Sequence, residues 1–159
     1  MKLQTSSFGE IIVSTVFGGD SFVICNAQDF DLSIKPENAK KFVEISKEIL
    51  KEANYHLGFQ HPNLPDLNFI SFCQFIEPIK INNLRQKEGL NTVCIRPGKL
   101  DRSPCGTGTS ARLALMHEKN EIHINEKFIS RSIIGSTFES YIAKEYTEEN
   151  KKMIIPSIK

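Results

Sequence analysis

The clearest periodic stretch is "KPENAKKFVEISKEILKEAN" (Lys35–Asn54). Phe42, Ile45 and Ile49 recur at helical spacing, Val43 and Leu50 widen the stripe, and the charged residues fall mostly between them. The pattern predicts an amphipathic helix with a solvated charged face, and Pro36 suits its first turn. Upstream, "EIIVSTVF" (Glu10–Phe17) and "SFVICNA" (Ser21–Ala27) read as strands joined by Gly18-Gly19-Asp20, a hairpin signal. "HPNLPD" (His61–Asp66) is a loop by its two prolines. "LNFISFCQFI" (Leu67–Ile76) and "NTVCIR" (Asn91–Arg96) read as buried strands. "SARLALMHEK" (Ser110–Lys119) reads as a second helix, with Leu113, Ala114 and Met116 available for burial. The tail has strand-like runs at "EIHIN" (Glu121–Asn125), "KFISRSII" (Lys127–Ile134) and "STFESYIAKEY" (Ser136–Tyr146). About seven strands and two helices favour an α+β fold over a doubly wound α/β fold. With no repeat and no dividing linker, residues 1–159 are expected to form a single domain.

Composition narrows the function. The chain is 40% hydrophobic and 25% charged, with a formal net charge of +1 at pH 7. That balance gives no electrostatic case for nucleic acid or an anionic membrane as partner. The apolar runs are too short to span a bilayer, and polar residues follow Met1-Lys2-Leu3 where a secretory signal would be apolar. The expectation is a cytoplasmic protein. Four cysteines include no C-x-x-C pair, which argues against a zinc ribbon or a thioredoxin-like motif. Cys25, Cys73 and Cys94 lie in apolar strand-like stretches and are expected to be buried core thiols. His56, His61, His117 and His123 carry no catalytic signature and are expected in loops or at the surface.

Cys105 has a different setting, in "DRSPCGTGTSAR" (Asp101–Arg112). Gly106 and Gly108 flank Thr107 and let backbone N–H groups turn into a concavity. The following helix begins with unpaired N–H groups and a positive dipole end. A substrate carboxylate can rest there. Such a position also lowers a thiol's pKa, so Cys105 is expected as a thiolate base or nucleophile. Asp101, one turn upstream, is placed to meet a substrate ammonium. The alternative is a structural glycine turn before a helix, and the lysine of a phosphate-binding P-loop is absent.

The same segment resembles the second-cysteine motif of the proline racemase family, which includes hydroxyproline 2-epimerases and related dehydratases. "VFGGDSFVICNA", "HPNLP", "ISRSIIGSTFES" and "MIIPSIK" resemble other family segments in the same order, so the likeness runs from about Glu10 to Lys159. The resemblance implies one lobe of a diaminopimelate epimerase-like fold: a curved, mainly antiparallel sheet or half-barrel around a central helix. It implies two-base racemisation of a small amino acid of the proline or hydroxyproline class, without pyridoxal phosphate or metal. By position, Cys105 is one acid/base, Gly106 and Thr107 supply carboxylate-binding amides, and Asp101 contacts the substrate amine. The family's dehydratase branch typically carries threonine in place of this cysteine, so its retention points toward racemase or epimerase chemistry. Ile95 stands where relatives often carry an aromatic near the substrate.

The family's other cysteine lies in a Met-Cys-Gly-His-Gly segment, and no Cys-Gly-His occurs here. The chain is therefore expected to be a truncated, C-terminal lobe, inactive as a racemase by itself. A separate first-lobe chain or a homodimer would complete the site. The other expectation is a non-catalytic or self-associating lobe that retains only a small-acid-binding turn.

Overall fold

The computed structural model describes residues 1–95, 98–148 and 151–159. Among them, ten strands form one sheet: β1 (Lys2–Thr5), β2 (Gly9–Phe17), β3 (Ser21–Asn26), β4 (Phe72–Ile76), β5 (Lys80–Ile81), β6 (Lys87–Ile95), β7 (Lys99–Leu100), β8 (Phe128–Arg131), β9 (Thr137–Glu148) and β10 (Lys151–Ile158). The helices are α1 (Ala39–His56) and α2 (Gly106–Glu118). The main path runs β1-β2-β3-β4-β6-β8-β9-β10, with β5 and β7 paired to β6. Only β3–β4 and β6–β8 are parallel, so the sheet is mainly antiparallel. The fold is α+β, as the pattern predicts.

α1 covers one face. Phe42, Ile49 and Ala53 are fully buried, with Ser46 between them on the same stripe. Burying a side chain such as Phe42 or Ile49 contributes roughly 1.5–3 kcal/mol. α2 lies on the opposite face and touches β2 and β3 near one end of the sheet and β9 and β10 at the other. A sheet whose two ends meet one helix must curve around it. β3 is buried from Ser21 to Cys25 because it has a helix on both sides: Phe22 and Ile24 face α2, while Val23 and Cys25 join the α1 cluster. Layers on both faces account for the mostly apolar reading of β3 and β4, which only Gln74 breaks in the interior.

Cys25, Cys73 and Cys94 are buried in the α1 cluster, as expected. Burial raises the Cys73 thiol well above its ordinary range and pushes Cys94 up to about 12.

Several sequence-based boundaries differ. "EIHIN" forms no strand and contributes only an isolated bridge, Ile124 to Ile142. Asn120 and Asn125 take left-handed φ values of 58° and 62°, and turn chemistry wins over β propensity there. "KFISRSII" stops at Arg131, where Ser132 and Ser136 close a turn: the Ser132 amide donates to the Ser136 carbonyl at 2.8 Å. The strand in "LNFISFCQFI" begins only at Phe72, because Asn54 of α1 bonds both the amide and the carbonyl of Ile70. β6 extends back to Lys87, and Arg96 lies outside the described residues. The pattern misses β1 and β10. Pro156 disguises β10, and a register shift between Ile155 and Pro156 accommodates it on an edge strand.

The hairpin turn between β2 and β3 lies directly on α2. A Cβ at Gly18 would collide with the Thr107 carbonyl oxygen and the backbone of Ala111. Gly106, at the start of the same helix, has open space around it. Gly18→Ala should therefore destabilise the fold by about 1–3 kcal/mol in denaturant unfolding, while Gly106→Ala should not. Equal, small effects of the two substitutions would contradict this packing.

Candidate active site

The loop from Asp101 to Cys105 is built by local hydrogen bonds. The Asp101 amide donates to the Val93 carbonyl at 2.9 Å, which ties the loop to β6. The Asp101 Oδ1 accepts from the Ser103 amide at 2.8 Å. Ser103 Oγ then accepts from the Cys105 amide at 3.0 Å. Cys105 caps α2 with φ 64° and ψ 114°, and its Sγ accepts from the Gly108 amide at 3.4 Å. The Thr107 Oγ1 is 3.6 Å from the same sulfur.

Cys105 is buried, with 8% of its surface exposed, whereas Gly106 and Thr107 are exposed beside it. Among the described residues no group accepts a hydrogen bond from the Gly106 or Thr107 amide. These are orphan donors of the first helical turn, next to a thiol, at the positive end of a 13-residue helix. Gly19 faces the Thr107 methyl, so the β2–β3 turn borders the same spot. A groove of about 650 Å³ runs from Gly18–Gly19 past Ser110 and Ala114 toward Met153 and Pro156. Cys105 is not among its lining residues.

Electrostatics corrects one expectation. The sequence motif predicts a thiol held below its ordinary range, but burial pushes the Cys105 thiol up. The Thr107 hydroxyl and the Gly108 amide pull it down, while Asp101 raises it further. Burial is the largest of these effects, so Cys105 rests as a neutral thiol at neutral pH. Its two hydrogen-bonding neighbours are placed to stabilise the thiolate once it forms.

The structure brings together Cys105, Gly106 and Thr107, with half-buried Asp101 near enough to influence the thiol. The histidines are elsewhere. His56 ends α1, His61 sits in its loop against Phe17, His117 pairs with Glu145 at 2.7 Å, and His123 lies in a turn. Among the described residues no histidine is bonded to Cys105, and none of them gather in a metal-holding cluster of three or more His, Cys, Asp or Glu.

Sequence reasoning missed the interior of α2. Arg112 is 1% exposed, and its two terminal nitrogens donate to the carbonyls of Leu90 and Glu77 at 2.9 and 2.8 Å. Its guanidinium lies 5.3 Å from the Phe128 ring centroid and fills the space that the missing side chain of Gly89 leaves. Burial lowers its pKa to about 10. Thr109 also went unnoticed, with its partner Ser130, which in turn donates to Asn91. A polar residue within a buried helix, about one turn in for Thr109 and nearly two for Arg112, is the only sequence signal for either.

The whole chain, residues 1–159, matches the family model described as proline racemase. Two solved structures are similar over 99% of this chain at 30% sequence identity. One is a hydroxyproline epimerase from Agrobacterium vitis, with bound trans-4-hydroxy-L-proline and a TM-score of 0.89. The other is a probable proline racemase from Agrobacterium radiobacter K84, with bound carbonate and a TM-score of 0.88. The chain spans 45% of the length of each. A thiol capping a buried helix, with unpartnered amides beside it on a curved α+β sheet, sits in a chain that belongs to the proline racemase family.

Proposed function

We propose that this chain is one lobe of a cofactor-independent amino-acid racemase or epimerase acting on the proline or hydroxyproline class. Cys105 serves as its acid/base on one face of the substrate's α-carbon. The observation that carries the reading is the pair of unpartnered amides, Gly106 and Thr107, beside the Cys105 sulfur. The substrate carboxylate docks on those amides. They also stabilise the charge that grows on it when the α-proton leaves.

The raised thiol pKa suits a proton donor. A base on the far face takes the α-proton, and the electron pair of that C–H bond spreads into the carboxylate. The Cys105 S–H bond then breaks, its proton forms the new C–H bond, and the sulfur is left as a thiolate. The Gly108 amide and Thr107 hydroxyl receive that charge. In the reverse direction the same thiolate is the base. One oxygen of Asp101 holds the loop through Ser103, and the carboxylate offers its charge to the substrate ammonium. An ammonium there would offset the part of the thiol's upward shift that Asp101 causes.

The far-face base lies beyond what Cys105 can reach from its own side. A first lobe supplies it, whether in the same protein or on a separate chain, consistent with the similar structures being more than twice as long. The bound hydroxyproline of the Agrobacterium vitis protein supports the substrate class.

Two outcomes test this reading. The purified chain with L-proline or trans-4-hydroxy-L-proline should leave optical rotation unchanged. Adding a first lobe that carries a Met-Cys-Gly-His-Gly segment should restore turnover, and Cys105→Ser should lower that turnover by at least roughly 10²-fold. Robust racemisation by the monomeric chain would defeat the proposal, whereas turnover that appears only with dimerisation would replace the first lobe with a second copy. Iodoacetamide labelling, followed peptide by peptide, reads the thiol itself. Cys105 should label slowly at pH 7, with a half-titration point above the ordinary thiol value of about 8.5. Fast labelling at neutral pH would contradict the burial-dominated thiol.

A further inference from the structure

Cys105 is a non-glycine residue at positive φ, and its ψ of 114° lies outside the left-handed helical well as well. Such conformations persist only where the surroundings over-determine them. The peptide unit linking Pro104 to Cys105 is held at both ends. Its N–H donates to Ser103 Oγ at 3.0 Å. Its carbonyl points inward and accepts from Asn91 Nδ2 at 3.0 Å, with Thr109 Oγ1 at 3.3 Å. Asn91 is oriented in turn by Ser130, whose hydroxyl donates to Asn91 Oδ1 at 2.7 Å. Thr109 Oγ1 lies 3.1 Å from Ser130 Oγ and has one proton to give, to that oxygen or to the Pro104 carbonyl. Asn91, Ser130 and Thr109 are fully buried and come from β6, β8 and α2.

The peptide unit after Cys105 is fixed as well. The Cys105 carbonyl accepts from the Thr109 amide at 2.8 Å, the first bond of the helix. Cys105 therefore hangs between two clamped peptide planes. Rotating the first of them toward a relaxed φ would pull the Pro104 carbonyl off Asn91 and leave a buried amide unpaired, a costly change.

We propose that Asn91, with Ser130 and Thr109, is the positioning device that holds Cys105 in its strained backbone conformation and so aims its sulfur beside the Gly106 and Thr107 amides. None of the three touches the sulfur in the structure, so they act through the Pro104–Cys105 peptide. This inference rests on Cys105 being the acid/base, but its test needs no turnover.

The test is a coupling measurement on the full chain. Glycine tolerates positive φ and alanine does not, so Cys105→Gly should exceed Cys105→Ala in folding equilibrium constant by roughly 5- to 30-fold. In an Asn91→Leu background the clamp is gone and the ratio should collapse toward one. Should that background fail to fold, Thr109→Val removes the second donor to the same carbonyl and should lower the ratio, and Thr109→Ser should restore it. With Cys105 intact, the pH profile of its alkylation should move in Thr109→Val and return in Thr109→Ser. An Ile49→Val control, in the α1 cluster away from this loop, should lose stability without moving the profile. A glycine-to-alanine ratio unchanged by loss of the clamp, or a profile that moves equally in the control, would overturn the inference. Either result would leave the assignment of Cys105 itself standing. Failure of the lobe-mixing experiment with the clamp confirmed would instead remove the assignment.

Discussion

The constraint on which the structure depends is the seating of α2 inside one curved sheet. Its residues Gly108, Thr109, Ala111, Leu113 and Met116 are buried, and so is the guanidinium of Arg112. On the buried side of this helix, polar side chains reach partners in the sheet instead of water. Arg112 reaches the carbonyls of Leu90 and Glu77, and Thr109 reaches Ser130. Those bonds fix the rotation and depth of the helix. They therefore fix where its first-turn amides emerge. The approach of the β2–β3 turn to Thr107 and Ala111, possible because residue 18 is glycine, sets the same position from the other side.

Two opposing effects meet at the sulfur. The helix terminus and its hydrogen bonds favour a thiolate, whereas burial favours the neutral thiol and has the larger effect. A group poised in this way gives up a proton reluctantly and keeps prepared partners for the charge it would leave behind. On the proposed reading, substrate binding would change the balance by neutralising Asp101 and by bringing a carboxylate to the adjacent amides. The strained backbone at Cys105 belongs to the same arrangement, since a relaxed φ would swing the side chain away from Gly108.

Much of this was legible in the chain. The α1 stripe, the hairpin around Gly18-Gly19 and the helix after Cys105 all follow from spacing and glycine placement. Membership in the family was carried by "DRSPCGTGTSAR". Other features depend on distant residues. "EIHIN" has β composition, but left-handed asparagines at 120 and 125 bend it into turns. β10 hides its strand character behind Pro156, which only a register shift on an edge can absorb. The direction of the Cys105 shift could not be read locally either. The motif shows the helix dipole but not Val93 and the rest of the cluster that buries the sulfur. Asn91, Thr109 and Ser130 meet only when β6, α2 and β8 are assembled.

The central claim is that the open end of α2 receives a carboxylate next to a neutral thiol. Amide chemical shifts followed by nuclear magnetic resonance test it most directly, with pyrrole-2-carboxylate, a planar mimic of the deprotonated substrate, titrated into the chain. The account predicts that the Gly106 and Thr107 N–H resonances move first and furthest, and that a matched neutral amide of the same ring leaves them in place. Saturable shifts centred elsewhere on the molecule, or none at these two residues, would contradict it.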